Sequence, residues 1–124
     1  LFIHPDSPDN ACPNFFKIGD KWVLLMSRHR PHVEDWFVGT WNPDTLRFEP
    51  ETSGILSYNE ATYATAGLYH PDGRVIYWNT MHQWRRANKP LDWPGCLRLP
   101  RELSLARDNT LQVKPLRELS QLRR

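Results

Sequence analysis

The sequence predicts an all-β fold of short antiparallel strands, and three observations carry that expectation. Eleven of the 124 residues are proline, a density that stops helices and central strands before they grow long. Short runs of β-branched and aromatic residues recur, each bounded by Gly, Pro, Asn or Asp, the pattern of strands joined by turns. Six Trp and four Tyr supply large rings to bury, enough for one core in a chain of this size. Length predicts a single domain, 1–124.

Taken in order, residues 1–13 hold three Pro among Asp and Asn and read as an extended, looping lead-in. Phe15-Phe16-Lys17-Ile18, a Gly19-Asp20 turn and Lys21 to Ser27 make a hairpin. Its second run is apolar almost throughout, as a strand buried on both faces would be. Residues 28–34 read as a polar loop, Asp35 to Trp41 as a strand, Asn42-Pro43-Asp44 as a turn and Leu46 to Glu49 as a short strand. A loop is expected from Pro50 to Asn59. Thr62 to Tyr69 and Arg74 to Trp78 pair across His70-Pro71-Asp72-Gly73, and residues 82–95 form a long loop. Cys96 to Leu99 and Glu102 to Leu105 are strands parted by Pro100, and Leu111 to Val113 is the last. Leu116, Leu119 and Leu122 recur at a spacing of three, which predicts a short C-terminal helix. Trp22, Trp36 and Trp78 lie in the strands and are expected in the core.

A weak internal repeat relates KIGDKWVLLMS (17–27) to YHPDGRVIYWN (69–79). Each is a turn, a basic residue and a buried strand. Antiparallel units at this period suggest propeller blades; any two hairpins also resemble one another, so both readings stay open on pattern alone.

Net charge is +2, but residues 1–83 carry 6 basic and 10 acidic side chains while residues 84–124 carry 10 and 4. The basic residues are interleaved with apolar ones, which favours a solvated face over a nucleic-acid surface. No apolar run approaches the ~20 residues that span a bilayer, so no membrane partner is expected. Cys12 and Cys96 are too few for a disulfide scaffold and read as thiols, with the cytoplasm slightly favoured. The chain opens at Leu1 without a leader pattern and reads as a fragment or a processed form. His29-x-x-His32 lacks the third and fourth ligands of a metal site, so no metal is expected. Asp9, Glu34, Asp35, Glu60 and Asp92 stand in or beside loops among aromatic residues. Aromatic faces pack on sugar C–H faces while carboxylates bond hydroxyls, and glycosidases need two carboxyl groups about one bond; solvated loop carboxylates are the commoner case.

Three segments together resemble glycoside hydrolase family 32. NACPNFFKIGDKWVLLMS (10–27) resembles the family's Glu-Cys-Pro segment running through Phe-Phe to a Trp-Val-Leu strand. Residues 36–64, from WFVG to ATYA, are similar to its Val-Gly strand, acidic loop and Phe-Tyr-Ala strand. Residues 73–105 resemble its closing section, including the Leu-Pro-Arg-Glu-Leu signature at 99–103. The order matches and nearly the whole chain is covered.

The resemblance implies retaining β-fructosidase ancestry, in invertases, inulinases, levanases and fructosyltransferases, and a five-bladed β-propeller with its site at one end of the central channel. This chain would be the C-terminal part of that propeller: two to three antiparallel blades with a short C-terminal helix. The implied chemistry is an Asp nucleophile, a Glu acid/base and a second Asp holding hydroxyls, with no cofactor. Here the acid/base position is Ala11, which cannot exchange a proton. The family's Asn-Asp-Pro and Arg-Asp-Pro motifs do not occur in the chain. Ala61 stands where an Asp usually precedes the Phe-Tyr-Ala strand, and Thr80 where the last blade usually has an aromatic residue. Tyr63, Trp84 and Trp93 are the residues expected to touch sugar. Cys12, beside an empty acid/base position, is expected as a small buried hydrophobe, and Arg101 as a structural ion-pair partner.

The expected function is therefore a β-fructofuranosidase-related protein that is inactive as an isolated chain, its partners fructose-containing saccharides. The alternative is a non-catalytic sugar-binding or self-assembling propeller remnant. An incomplete ring leaves blade faces open, which predicts a homo-oligomer or a complementary propeller half as partner. Trp36, Phe37 and Ile76 are the apolar residues expected on those open faces.

Overall fold

The computed structural model describes residues 2, 7, 9–29, 32–57, 62–82 and 95–123. Its first sheet is an antiparallel meander of β1 (Ala11–Ile18), β2 (Lys21–His29), β3 (His32–Asn42) and β4 (Arg47–Ser57), hydrogen-bonded in that order. The second contains β5 (Thr62–Tyr69), β6 (Val75–His82), β7 (Gly95–Leu97), β8 (Arg101–Leu105) and β9 (Leu111–Pro115). Its order is β5-β6-β8-β9, with β7 also on β6. β7 pairs the far end of β6 through Met81–Cys96, and β8 the near end through Ile76–Glu102. The two short strands therefore fill one place in the sheet, interrupted at 98–100. The described residues are all-β apart from one short helical turn and form two antiparallel sheets, each four strands wide once β7 and β8 are taken as one place.

The turns follow from local chemistry. Ile18 faces Lys21 across Gly19-Asp20, and Gly19 takes the positive φ that primed hairpin turns ask of their first residue. Between β3 and β4 the Asn42 side chain accepts from the Asp44 and Thr45 amides, a local substitute for a backbone turn.

β2 is buried on both sides because its alternate residues serve two cores. Val23 and Leu25 point with Phe16, Trp36 and Val38 toward Val75, Tyr77, Leu103 and Leu111 of the second blade. Leu24 and Met26 turn the other way, to Phe37 and Phe48, with Phe2, Trp22 and Trp41 partly covering them. Trp36 is in the core as expected, while Trp22 and Trp78 are half-buried.

Several expectations are corrected. The loop predicted from Pro50 is largely strand: β4 runs on to Ser57, and the proline is absorbed at the Val38/Gly39 register shift, where Gly39 pairs Pro50. An edge strand with a bulge is where a ladder tolerates proline. Residues 32–34, assigned to a loop, belong to β3. Trp36, Phe37 and Ile76 are 8 %, 6 % and 7 % exposed rather than open. Trp36 is covered by the core between the two blades, and Phe37 by Leu24, Met26 and Phe48 on the other face of the first blade. The C-terminal helix is a 3-10 helix over Arg117–Leu122 with no buried residue, which suits a spacing of three, the 3-10 period. Arg74 holds it: its guanidinium reaches Asp72, Glu102 and Glu118 at 2.8, 3.2 and 2.7 Å.

Candidate functional site

The two blades meet along β1 and β5. These edge strands share no main-chain ladder; side chains join them. Asn14 Nδ2 donates to the Cys12 and Thr65 carbonyls at 2.8 and 2.9 Å, and its Oδ1 accepts from the Gly67 amide at 3.1 Å. Farther along, the Tyr69 hydroxyl accepts from the Lys17 amide at 2.5 Å. The near-constant separations of 51 to 53 residues show that β1 and β5 run parallel, so their N-terminal ends share one rim.

Both strands are bulged at that rim. In β1 the register shifts between Ala11 and Asn14; in β5 it shifts between Tyr63 and Ala66. Cys12 and Ala64 take φ of 49° and 59° within these bulges. Left-handed backbone at non-glycine residues is costly and tends to persist where a side chain must be re-aimed. Ala11 and Tyr63, the residues just before each strained position, thus occupy equivalent places in the two blades. Thr80, opposite Tyr63, donates its hydroxyl to the Tyr63 carbonyl at 2.7 Å and fixes the second bulge.

Continuing the Ala11–Ser27 register back by two residues brings Asp9 opposite His29. Their side chains are hydrogen-bonded, Asp9 Oδ2 to His29 Nδ1. The other ring nitrogen, Nε2, is 2.5 Å from the Tyr63 hydroxyl. An Nδ1–H donated to the carboxylate leaves Nε2 to accept from the phenol, which assigns the tautomer. His32 pairs His29 across the end of the β2–β3 hairpin, and its ring lies 5.6 Å from the Tyr63 ring. Asp9 and His29 are about half exposed. Burial raises the Tyr63 phenol above its ordinary value and the charges of Cys12 and Asp9 add to it, so the hydroxyl keeps its proton.

Behind the rim lies a buried polar layer. Glu34 is fully buried opposite Ser27 and Ser57 and accepts from Asn79 Nδ2 of the second blade at 2.5 Å. Burial pushes its carboxyl above the ordinary carboxylate range, against the Asn79 hydrogen bond and the charges of Arg98 and Arg101. Tyr77, in the same layer, is pushed up to about 12, chiefly by burial and then by Glu34. Arg101 sits over the Tyr77 ring, 5.9 Å from its centroid, while Glu102 takes Arg74. Arg101 thus packs on Tyr77 of β6, the next strand of its own blade, and the expected pairing with Glu102 is replaced by Arg74–Glu102.

Of the expected site residues the structure brings Ala11 and Tyr63 to one rim; Trp84, Trp93, Ala61 and Glu60, with Asp92, lie outside the described residues. Asp35 is committed to Arg28 at 2.6 Å. Cys12 is exposed, not a buried hydrophobe, because the bulge turns it out of the ladder. The sequence reading did not join Asp9 and His29: the hairpin register set at Ile18–Lys21 would miss the pair by one residue, and the bulge between Ala11 and Asn14 supplies the shift that brings them together.

Successive antiparallel sheets, packed face to face with parallel inner strands and a bulged rim, define a segment of a β-propeller. Residues 10–115 match the model of the glycosyl hydrolases family 32 N-terminal domain, and the chain belongs to that family. It is 33% identical over 125 aligned positions to a sucrose-6-phosphate hydrolase of Zymomonas mobilis, covering 90% of this chain and 24% of that protein. It is 30% identical to a raffinose invertase of Escherichia coli, covering 91% and 26%. The chain spans about a quarter of the length of these curated relatives. Among solved structures, a family 32 glycoside hydrolase from Bifidobacterium adolescentis aligns with a TM-score of 0.76 at 24% identity, over 90% of this chain and 19% of that one. A sucrose-6-phosphate hydrolase from Lactobacillus gasseri gives 0.75 at 18%, over 93% and 26%. These two matches speak for the fold.

Proposed function

We propose that this chain is the part of a β-fructofuranosidase-type propeller that lines one side of the sugar channel, and that alone it binds fructose-containing saccharides without hydrolysing them. Ala11 carries the reading. It stands at the β1 bulge as Tyr63 stands at the β5 bulge; the resemblance puts the family's acid/base Glu at this position, and a methyl group can neither protonate a leaving fructoside oxygen nor deprotonate water. General acid–base groups typically contribute about 10²–10⁴ in rate. Neither Asn-Asp-Pro nor Arg-Asp-Pro occurs in the 124 residues, so a nucleophile of the family type is also missing from them. Tyr63 supplies a half-buried ring and a hydroxyl for a sugar, with Trp84 and Trp93 as further sugar contacts.

A second reading, self-assembly, is favoured by one observation. The outer face of the first blade carries an open apolar groove of about 290 Å³ lined by Phe2, Phe15, Trp22, Leu24, Trp41 and Phe48. On this reading a second copy of the chain, or a complementary propeller half, covers it.

The test is fructose release from sucrose, sucrose 6-phosphate, inulin and levan, by the chain and by Ala11→Glu, alongside quenching of tryptophan fluorescence by the same sugars. Quenching without release is expected from both, since Ala11→Glu restores an acid and no nucleophile. Turnover by the unmodified chain at ordinary enzyme rates would overturn the assignment of roles.

A further inference from the structure

The Asp9–His29–Tyr63 chain has the connectivity of a base-assisted nucleophile. A carboxylate orients an imidazole through Nδ1, and the opposite nitrogen, Nε2, lies 2.5 Å from a hydroxyl. That order, orienting acid to base to nucleophile, is the arrangement by which weak oxygen nucleophiles are activated on unrelated folds. Three strands of two blades build it: Asp9 precedes β1, His29 ends β2 and Tyr63 lies in the β5 bulge. All three are reachable from solvent, with Asp9 and His29 about half exposed.

A second hydroxyl in the same molecule sets the contrast. Tyr69, six residues along the same strand, accepts from the Lys17 amide and donates to the Lys17 carbonyl at 3.2 Å. A carbonyl oxygen holds a phenolic proton without taking it. An imidazole nitrogen can take it as the oxygen forms a new bond.

We propose that Tyr63 is a nucleophile activated by His29 and Asp9, and that the site accepts small activated carboxylic esters, forming an O-acyl-tyrosine. In the step, Tyr63 Oη bonds to the ester carbonyl carbon as the phenolic proton passes to His29 Nε2. The carbon–oxygen bond to the leaving group then breaks, and the alcohol departs as its anion. Asp9 stabilises the imidazolium until its proton passes to solvent. Because Ala11 offers no proton to a departing group, the ester must carry a leaving group stable as an anion, such as p-nitrophenolate. A trigonal carbonyl needs one attacking oxygen and no second carboxyl group; a sugar held on Tyr63 would compete for the same hydroxyl.

The experiment exposes the full chain to p-nitrophenyl acetate at neutral pH, with peptide mass mapping of acetylated tyrosines over time. Tyr63 is expected to gain an acetyl group at least about 10²-fold faster than Tyr69, the usual scale of a positioned base. His29→Gln is expected to bring Tyr63 down to the Tyr69 rate, and Asp9→Asn to bring it most of the way there by holding the imidazole in the wrong tautomer. Tyr63→Phe removes the adduct. Comparing two tyrosines within one molecule guards the result, because a variant that failed to fold would acetylate Tyr69 faster as well. Equal rates at Tyr63 and Tyr69 in the unmodified chain, a Tyr63 rate unaffected by His29→Gln, or label confined to Cys12 would each overturn the proposal.

Discussion

Cys12 and Ala64 hold the same left-handed backbone conformation in successive blades, 52 positions apart, the offset that also separates Lys17 from Tyr69 across the blade boundary. Each is the residue after a rim side chain, Ala11 in one blade and Tyr63 in the other. Strain at one position is a local event. Strain repeated at equivalent positions is part of how this fold aims side chains at its axis.

Relieving that strain is expected to raise stability. An L-residue in the left-handed region costs roughly 1–2 kcal/mol, and glycine escapes most of it while losing some through the freer unfolded chain. Ala64→Gly is expected to raise Tm by about 2–4 °C, and Ala64→Val, branched at Cβ, to lower it by more. Thermal melts of both variants check the pair; a lower Tm for the glycine variant would contradict it.

Gly39 is expected to be the least replaceable glycine. A Cβ there would lie 2.0 Å from the Glu49 carbonyl oxygen and 2.7 Å from Pro50 Cα, both backbone atoms that cannot turn away. At Gly54 the obstacle is the Trp36 ring, at 2.7 Å. Gly39→Ala is expected to cost about 3 kcal/mol, the upper end of the usual overpacking range, and more than Gly54→Ala. Urea denaturation of the two variants ranks them.

Glu34 links stability to pH in an unusual direction for a carboxylate. Its folded-state value lies above the ordinary 4.5, so the folded protein holds this proton more tightly than the unfolded one. Its contribution is present in full below the unfolded value and is lost as pH rises through the raised folded value. Glu34→Gln keeps a carbonyl for Asn79 and never ionises. The variant is expected to be more stable than the parent at pH 8 and near parity at pH 4.5, as urea melts at the two pH values would read. A gap that does not widen with pH would sink this account.

The Arg74 cluster runs the opposite way. Burial draws Asp72 upward, but hydrogen bonds from Arg74 and His70 outweigh it and hold the carboxyl at about 2; the Arg74 hydrogen bond holds Glu118 at about 2 as well. With folded values depressed, the stabilisation is present above the ordinary carboxylate range and is lost as pH falls toward 2. The 3-10 helix should therefore loosen below about pH 4 while the sheets persist. Faster amide exchange at Leu119 and Arg123, whose amides bond Leu116 and Ser120 carbonyls, is the readout.

The open groove on the first blade predicts association. Trp22, Trp41 and Phe48 line it beside Phe15, which stacks on Trp22 at 4.6 Å. The chain is expected to scatter light as a dimer or larger species, and Trp41→Glu to shift it toward monomer. A monomer at high concentration before any substitution would refute self-assembly through this face.

Much of the fold was legible because its strands are runs of β-branched and aromatic residues and its turns carry Gly, Asn and Asp. A short C-terminal helix was legible from Leu116, Leu119 and Leu122, but not its 3-10 form. β4 was not: Pro50 reads as a terminator until one knows it lies on an edge strand opposite a bulge at Gly39. The rim was half legible. Ala11 and Tyr63 stood out through motif order. Asp9 and His29 did not, because a hydrogen bond between residues 20 apart depends on a hairpin register that no local pattern states. Cys12 was misread because solvent exposure at a bulge follows from a positive φ, which composition does not encode.

The inner strands have a consequence for how such a channel can evolve. β1 and β5 are riveted by Asn14 and Tyr69 side chains rather than by a ladder, and they point the same way. Rotating one blade onto the next therefore delivers every copy of the bulged corner to a single mouth. A gene duplication of this unit multiplies the corner before any selection acts on it. Each new copy then has one residue, the analogue of Ala11 or Tyr63, free to drift between carboxylate, phenol and methyl without disturbing the blade that bears it. Chemistry is written in single letters around the mouth, while the spokes behind it stay the same.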